Sequence, residues 1–313
     1  MPIRISDAAA QLQTDESEIR DLLMQHRDRF ASGGEGDVLA DPDFELLRML
    51  VREAHGEALA PIVTVTSGKG GVGKTSTSVN VAVELSKRGR RVILLDADLG
   101  LANAHIVAGL RAADRTLSDY LQGDSDLIDI VMDGPAGLKI ISGGSGIKEM
   151  ADLDQKGRTR IIDAVRALRP HCDLILIDTG AGIGDTVTDF VKAADHTLVV
   201  TTGNFAAIAD AYGIIKVLAQ SGYEKPMHVI VNRARSPEEA EQVFTKLNGC
   251  SRRFLNSSLN WLGLLPEDSG VEGAVLQRTP FCIANPNSVA TRYLTRLVDA
   301  LDRVLPSQRV RVG

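Results

Sequence analysis

Apolar residues along this 313-residue chain fall into short β-branched runs separated by longer stretches at helical spacing. Seven runs read as strands: Ile62 to Thr66, Arg91 to Asp96, Gly137 to Ser142, Asp173 to Asp178, Thr197 to Thr202, His228 to Asn232 and Trp261 to Leu265. Helical stretches alternate with them, beginning with Thr75 to Lys87. That alternation predicts an α/β fold, a doubly wound and mostly parallel sheet flanked by helices. Ligands in such sheets bind at the carboxyl ends of the strands, so chemistry is sought there. Near the end, Val289, Tyr293, Leu297, Leu301 and Leu305 recur every four residues among Arg292, Arg296, Asp299 and Arg303, a stripe that predicts a core-facing helix.

The first sixty residues follow a different pattern. Ile5 to Leu12 and Asp15 to Leu23 read as two short helices, with Ser6 as cap of the first and Thr14 or Asp15 as cap of the second. Ala9, Leu12, Ile19, Leu22 and Leu23 would meet between them, in the manner of a helix-turn-helix. Ala31 to Asp37 is a flexible linker by composition. Asp41-Pro42 then opens a helix through Phe44, Leu46, Leu47, Leu50 and Val51, ended by Gly56. The organisation expected is a helical module over 1–30, a linker and connecting helix over 31–60, an α/β domain over 61–305 and a tail over 306–313.

Charge sharpens this division. Residues 1 to 60 hold thirteen Asp and Glu against six Arg and no Lys, a balance of −7 where the whole chain carries −6. The acidity therefore belongs to the N-terminal piece, and the remainder is close to neutral. A DNA reader needs cations against phosphate, so the helix-turn-helix pattern is read as a protein-docking module, with DNA contact disfavoured. Apolar content of 44% permits a sizeable core. Cys172, Cys250 and Cys282 are far apart with no C-x-x-C pair, as in a reduced cytosol. The chain lacks a run of about 20 apolar residues or a signal-peptide core, so a cytoplasmic protein is expected.

The candidate chemistry begins at Ser67-Gly68-Lys69-Gly70-Gly71-Val72-Gly73-Lys74-Thr75, where strand turns into helix. This is a P-loop pattern in the context it requires. The amides of Gly68, Lys69, Gly70, Gly71, Val72, Gly73, Lys74, Thr75 and Ser76 would cradle nucleotide phosphates. Lys74 supplies a point charge, and the Thr75 hydroxyl suits Mg²⁺. The bland alternative is a Gly-rich turn without a ligand. Lys69, five residues before Lys74, is either a solvated cation or one that reaches a phosphate across a dimer. At the next strand end Asp96 and Asp98, one residue apart, face the same side. Four apolar residues lead to Asp178, a Walker B arrangement that presents a carboxylate to Mg²⁺, with Gly180 and Gly182 free to rearrange after it. Asn232 and Arg233 end a later strand. An asparagine amide matches the edge of adenine, though by itself it is equally a turn residue.

Lys69-Gly-Gly-Val-Gly-Lys74-Thr75 resembles the deviant Walker A motif of the MinD/ParA ATPases. That resemblance implies a MinD-like fold, ATP and Mg as ligands, and an ATP-bound homodimer in which Lys69 acts in trans beside Lys74 in cis. It further implies Asp98 polarising the attacking water, Thr75, Asp96 and Asp178 around Mg²⁺, and Asn232 at the base. The sequences Asp96 to Ala104, Asp178 to Ile183, Asp210 to Lys216 and Phe254 to Gly263 look most like the FlhG (FleN/YlxH) branch, regulators of flagellar number and position. The implied function is an ATP-hydrolysing dimerising switch that places or counts a cellular structure, most naturally flagella. Its partners would dock on the acidic module and the switch loops: the flagellar GTPase FlhF or a transcription regulator. The branch's N-terminal Asp-Gln-Ala-x-x-Leu-Arg motif is matched only by Asp43-Phe-Glu-Leu-Leu47-Arg48. The residues after Pro306 are too few for the amphipathic membrane helix that MinD-type proteins append, so polar or membrane placement would come through partners. A ParA-type DNA or cargo partitioning ATPase is the alternative, and a non-hydrolytic docking role a third. A tyrosine autokinase is disfavoured, because Tyr120, Tyr212, Tyr223 and Tyr293 form no terminal cluster.

Overall fold

The computed structural model describes residues 2–30, 37–55, 59–125, 127–144 and 153–305. They form two compact units: Met1–Ala60 with Asp154–Asp173, and Pro61–Leu153 with Leu174–Gly313.

In the first unit, β1 (Ile3–Arg4) leads into α1 (Ile5–Leu12) and α2 (Glu16–Gln25), then β2 (Val38–Leu39), antiparallel to β1, and α3 (Asp41–Ala54). Ala9, Ile19, Leu22 and Leu23 are buried together as the pattern predicts, joined by Phe30, Leu39, Phe44 and Leu47. The expected caps differ. Ser6 lies inside α1, whose N-cap is Arg4, and Asp15 caps α2 by position without a side-chain bond. Thr14 instead donates its hydroxyl to Glu18 one turn on. Gln13, left-handed at φ 53°, ends α1 by turning its N–H back to Ala9. Of the expected linker only Asp37 is among the described residues; its carboxylate pairs with Arg20 at 2.8 Å and its carbonyl accepts from Ile5. Gly56, the expected end of α3, lies outside them.

The second unit starts with β3 (Ile62–Ser67), α4 (Lys74–Lys87), β4 (Val92–Ala97), α5 (Ala104–Val107), α6 (Leu117–Gln122), β5 (Val131–Asp133) and β6 (Lys139–Ser142). Next in the chain, α7 (Gln155–Ala167) belongs to the first unit. There it packs on α3, with Arg29 against Asp163 at 3.1 Å and His171 against Glu45 at 3.1 Å. The chain then completes the second unit with β7 (Leu174–Ala181), α8 (Asp185–Ala193), β8 (His196–Thr201), α9 (Phe205–Gln220), β9 (Met227–Ala234) and α10 (Pro237–Leu255). Last come β10 (Asn260–Pro266), α11 (Ser269–Leu276), α12 (Phe281–Ala284) and α13 (Val289–Val304).

The strands form one sheet in the order β10-β9-β8-β3-β7-β4-β6-β5, parallel throughout except for β5. All seven expected strands are present. The eighth, β5, is three residues long, too short for a period to register. It returns through a turn built on left-handed Ala136 and Gly137 in place of an Asn-Gly signature. Alternate residues feed opposite layers: Leu198, Val200 and Ile230 pack with α4 and α13, while Val199, Val229 and Val231 pack with α8, α9 and α10. In α13 the buried positions are Ala290, Thr291, Leu294, Leu297, Val298 and Leu301, the three-and-four spacing of a true helical face. Val289, expected in that stripe, is exposed. The tail 306–313 lies outside the described residues.

At the amino ends of β8 and β9, His196 Nδ1 and His228 Nε2 stand 3.2 Å apart. Burial, with His196 alongside, pushes His228 down to about 4. His196 is also lowered by burial, with Asp195 and Lys225 acting in opposite senses upon it. The folded pKa lies below the unfolded one, so the unfolded chain takes up the proton first as pH falls. Stability should therefore be full above pH 6.5 and decline by about 3 kcal/mol as pH drops towards 4. Urea unfolding across that window should show the decline in the wild type and a flatter profile in His228→Leu; parallel profiles would refute this assignment.

Candidate nucleotide site

β3 ends at Ser67, whose hydroxyl donates to Lys69 O at 2.9 Å and whose carbonyl accepts from Gly182 N at 2.9 Å. The glycine turn is thus bonded both to itself and to the loop after β7. Two of its glycines are required for different reasons. Gly68 has an ordinary φ, but a Cβ there would stand 1.9 Å from the Asp210 carbonyl in α9. Gly73 combines φ +88° with a would-be Cβ 2.2 Å from Asn232 Nδ2. It caps α4, whose free amides and positive dipole end begin at Lys74. Thr75 and Ser76 are half-buried there, while Lys69, Gly70 and Gly71 are exposed.

Strand register brings the acids together. Asp96 on β4 pairs with Asp178 on β7, and Asp178 pairs with Val65 on β3. Lys74 Nζ donates to Asp178 Oδ1 at 2.8 Å, with both side chains buried. Ser78 donates its hydroxyl to the same oxygen at 2.9 Å. Sequence reasoning missed Ser78; its signal is the spacing of one helical turn from Lys74. Asp178 Oδ2 is buried and has no hydrogen-bond partner among the described residues.

Asp98 lies across from Gly180, where an added Cβ would be 3.7 Å from its Oδ1. Burial raises its carboxyl, Asp178 adds to that, and Lys74 opposes. Asp96 is held by backbone amides. Its Oδ2 accepts from Asn103 N and Ala104 N at 2.7 Å, and its Oδ1 from Asp98 N at 3.2 Å. Burial, then the nearby Asp178, push it up to about 7 against the pull of those amides. Asp96 therefore organises the loop that carries Asp98. Asn232 donates Nδ2 to Val72 O at 2.8 Å, and Arg233 beside it is exposed and left-handed at φ 51°. Lys69 has no side-chain partner among the described residues.

The donor set suits a hard divalent cation. A buried carboxylate oxygen without a partner and a threonine hydroxyl at the helix start are oxygen ligands of the type Mg²⁺ takes alongside phosphate and water. Among the described residues no three His, Cys, Asp or Glu cluster as a self-sufficient metal site. The ion would therefore draw its remaining ligands from substrate and solvent.

A glycine turn between strand and helix, with its lysine buried on a strand-end carboxylate, defines a P-loop nucleotide-binding protein. Residues 58–302 match a ParA family model described as NUBPL iron-transfer P-loop NTPase. The antiactivator FleN of Pseudomonas aeruginosa is 39% identical over 241 residues, 77% of this chain and 86% of that protein. The flagellum site-determining protein YlxH of Helicobacter pylori is 31% identical over 76% of this chain and 81% of its own length. Among solved structures, the septum site-determining protein MinD of Pyrococcus horikoshii, complexed with Mg-ADP, superposes with a TM-score of 0.66 at 26% identity. The match covers 78% of this chain and 97% of that one. The chain belongs to the ParA/MinD family of P-loop NTPases.

Lys74 is one cation facing Asp178, Asp98 and the Asp96 behind them. Lys74→Ala should therefore destabilise the nucleotide-free protein by about 3 kcal/mol in urea unfolding. Asp178→Asn should cost clearly less, because Lys74 keeps Asp98. Equal losses would mean that the pair stands isolated from the other carboxylates.

Proposed function

We propose that this chain is a dimerising switch that hydrolyses ATP with Mg²⁺ and governs the number or placement of flagella. The observation that carries the reading is the buried Lys74–Asp178 pair bordering the glycine loop after β7, which is itself bonded to Ser67. Phosphate oxygens entering the P-loop compete with Asp178 for the Lys74 ammonium. A change at that pair reaches Gly180 and Gly182, the segment most free to rearrange.

Thr75 and Asp178 would hold Mg²⁺, which supplies charge to offset that of the phosphate oxygens. Hydrolysis asks for position and charge more than for covalent chemistry. Asp98, half-buried and with no hydroxyl or amide bonded to its carboxylate among the described residues, orients the water. Lys69, exposed and unpartnered among the described residues, reaches the phosphates of a second copy. Leu101, Ile183 and Phe205 are large, exposed and apolar, and follow the carboxyl ends of β4, β7 and β8. They supply the surface that a second copy or a protein partner covers.

The flagellar assignment draws on the names borne by FleN and YlxH. The N-terminal unit takes a partner by another route than the branch's usual motif, since Asp43 and Leu47 of the nearest match are buried in α3. Its outward residues Asp7, Glu16 and Asp21 present acid to a basic protein surface. Among the described residues no helix is long and apolar enough to cross a membrane, and the working place proposed is the cytoplasm, with polar recruitment through partners.

In ATP and Mg²⁺, Asp98→Ala should run as a dimer on size-exclusion chromatography with turnover down at least about 100-fold, while Lys74→Ala and Lys69→Ala stay monomeric. A monomeric Asp98→Ala that still binds ATP overturns the switch.

A further inference from the structure

Asn232 is matched by resemblance to a residue that reads the base, yet among the described residues its one side-chain hydrogen bond runs to the phosphate loop. Nδ2 donates to Val72 O at 2.8 Å, a chemically forced orientation, because a carbonyl accepts only from the nitrogen side of the amide. The acceptor belongs to the Val72–Gly73 peptide. In a trans peptide the C=O and the following N–H point oppositely, so fixing Val72 O towards Asn232 turns Gly73 N–H to the far side. That N–H is one of the donors from which an anion nest is made.

A second observation agrees. Gly73 stands so close beneath the amide that a Cβ would be 2.2 Å from Nδ2, and its φ of +88° admits no ordinary side chain. Asn232 thus both bonds the loop and confines it. A third concerns how the side chain is aimed. β9 pairs with β8 without interruption through Val231, whereas its register with β10 shifts between Trp261 and Gly263 and again between Leu264 and Pro266, after which Arg233 takes a left-handed φ of 51°. Such irregularity at a strand end re-aims the neighbouring side chain. Strain at Arg233 is retained where the loop bond repays it.

We propose that Asn232 is a positioning residue for the phosphate loop, holding the Val72–Gly73 peptide so that Gly73 N–H faces the phosphates. Its second N–H and its Oδ1 are left for a purine edge. One amide then senses base and phosphate loop together, and a nucleotide that lacks the right edge meets a less well-held loop. This rests on the reading of the P-loop as a nucleoside triphosphate site.

The probe that separates loop positioning from base reading is Mg²⁺-tripolyphosphate, which has no base. Its binding and that of ATP are measured by titration calorimetry on the wild type, Asn232→Leu and Asn232→Ala. Neither replacement introduces a charge near phosphate, and Leu keeps the volume. Losing one hydrogen bond to the loop should weaken tripolyphosphate by roughly tenfold in both variants, with the urea midpoint unchanged, and ATP by at least as much. Tripolyphosphate affinity equal to wild type, with ATP alone weakened, overturns the inference and leaves a pure base reader. A wild type that binds neither probe removes the nucleotide reading underneath it. Should Asn232→Ala fail to fold, the near-isosteric Asn232→Leu decides between these outcomes.

Discussion

One ammonium holds this site together. Lys74 is buried against Asp178 at 2.8 Å, and two further acids, Asp96 and Asp98, are near enough to feel Asp178, Asp98 the lysine as well. Three carboxylates around one cation is a poor arrangement for a folded protein left by itself, since burying a charge without compensation is costly. The structure reduces that cost by backbone means at Asp96, which accepts three amides, and by a hydroxyl at Asp178, which accepts Ser78. One oxygen of Asp178 remains without a partner. A site with surplus acid and an unused buried oxygen would be completed by a divalent cation, whereas phosphate would bring negative charge that competes for Lys74. Cation and phosphate together would restore the balance that either would upset by itself.

The phosphate loop is held at three points by segments distant in sequence. Gly68 abuts the Asp210 carbonyl of α9, Ser67 O accepts from Gly182, and Val72 O accepts from Asn232. Asp210 and Gly182 follow β8 and β7, the two strands that flank β3, and Asn232 lies near the end of β9, next to β8. A shift in the loop as phosphates arrive therefore has mechanical outlets to each. The exposed Phe205 and Ile183 sit on two of the same segments, so a partner covering them engages elements already bonded to the site.

Much of this was legible beforehand. Seven strands were placed to within a few residues because a parallel sheet buries its strands on both faces, and Val, Ile and Leu runs such as Leu174–Ile177 cannot be mistaken for loops. Lys74, Asp98 and Asp178 were singled out because the glycine turn follows one such run and the two acids stand at the ends of others; the structure brings Lys74 and Asp178 into contact. What was not legible has physical causes. Asp96 looks identical to Asp98 in a D-x-D pattern; only the backbone path of 98–104, which turns amides onto Asp96, distinguishes the two. Ser78 was hidden because a serine one turn into a helix is commonplace until a partner across the sheet is known. The Ser6 cap failed because β1 runs directly into α1, so the helix starts two residues earlier than a Ser6 cap requires.

The hardest feature to read was α7. Its amphipathic sequence announces a helix, capped by Asp154 on Gly157 N, but in an alternating α/β chain the default is to lay such a helix on the sheet it interrupts. What reassigns it is a set of partners drawn from the first sixty residues: α3 along its face, Arg29 on Asp163, and Glu45 on His171. No periodicity encodes that choice, because the apolar face of Ile161, Ala164 and Val165 would serve either surface. The consequence is topological. The N-terminal unit is joined to the nucleotide unit by the chain at three places, before Pro61, after Leu153 and after Asp173. The first and last of these crossings open β3 and β7, the strands that lead to the phosphate loop and to Asp178, so chain connectivity alone ties the acidic unit to the starts of both.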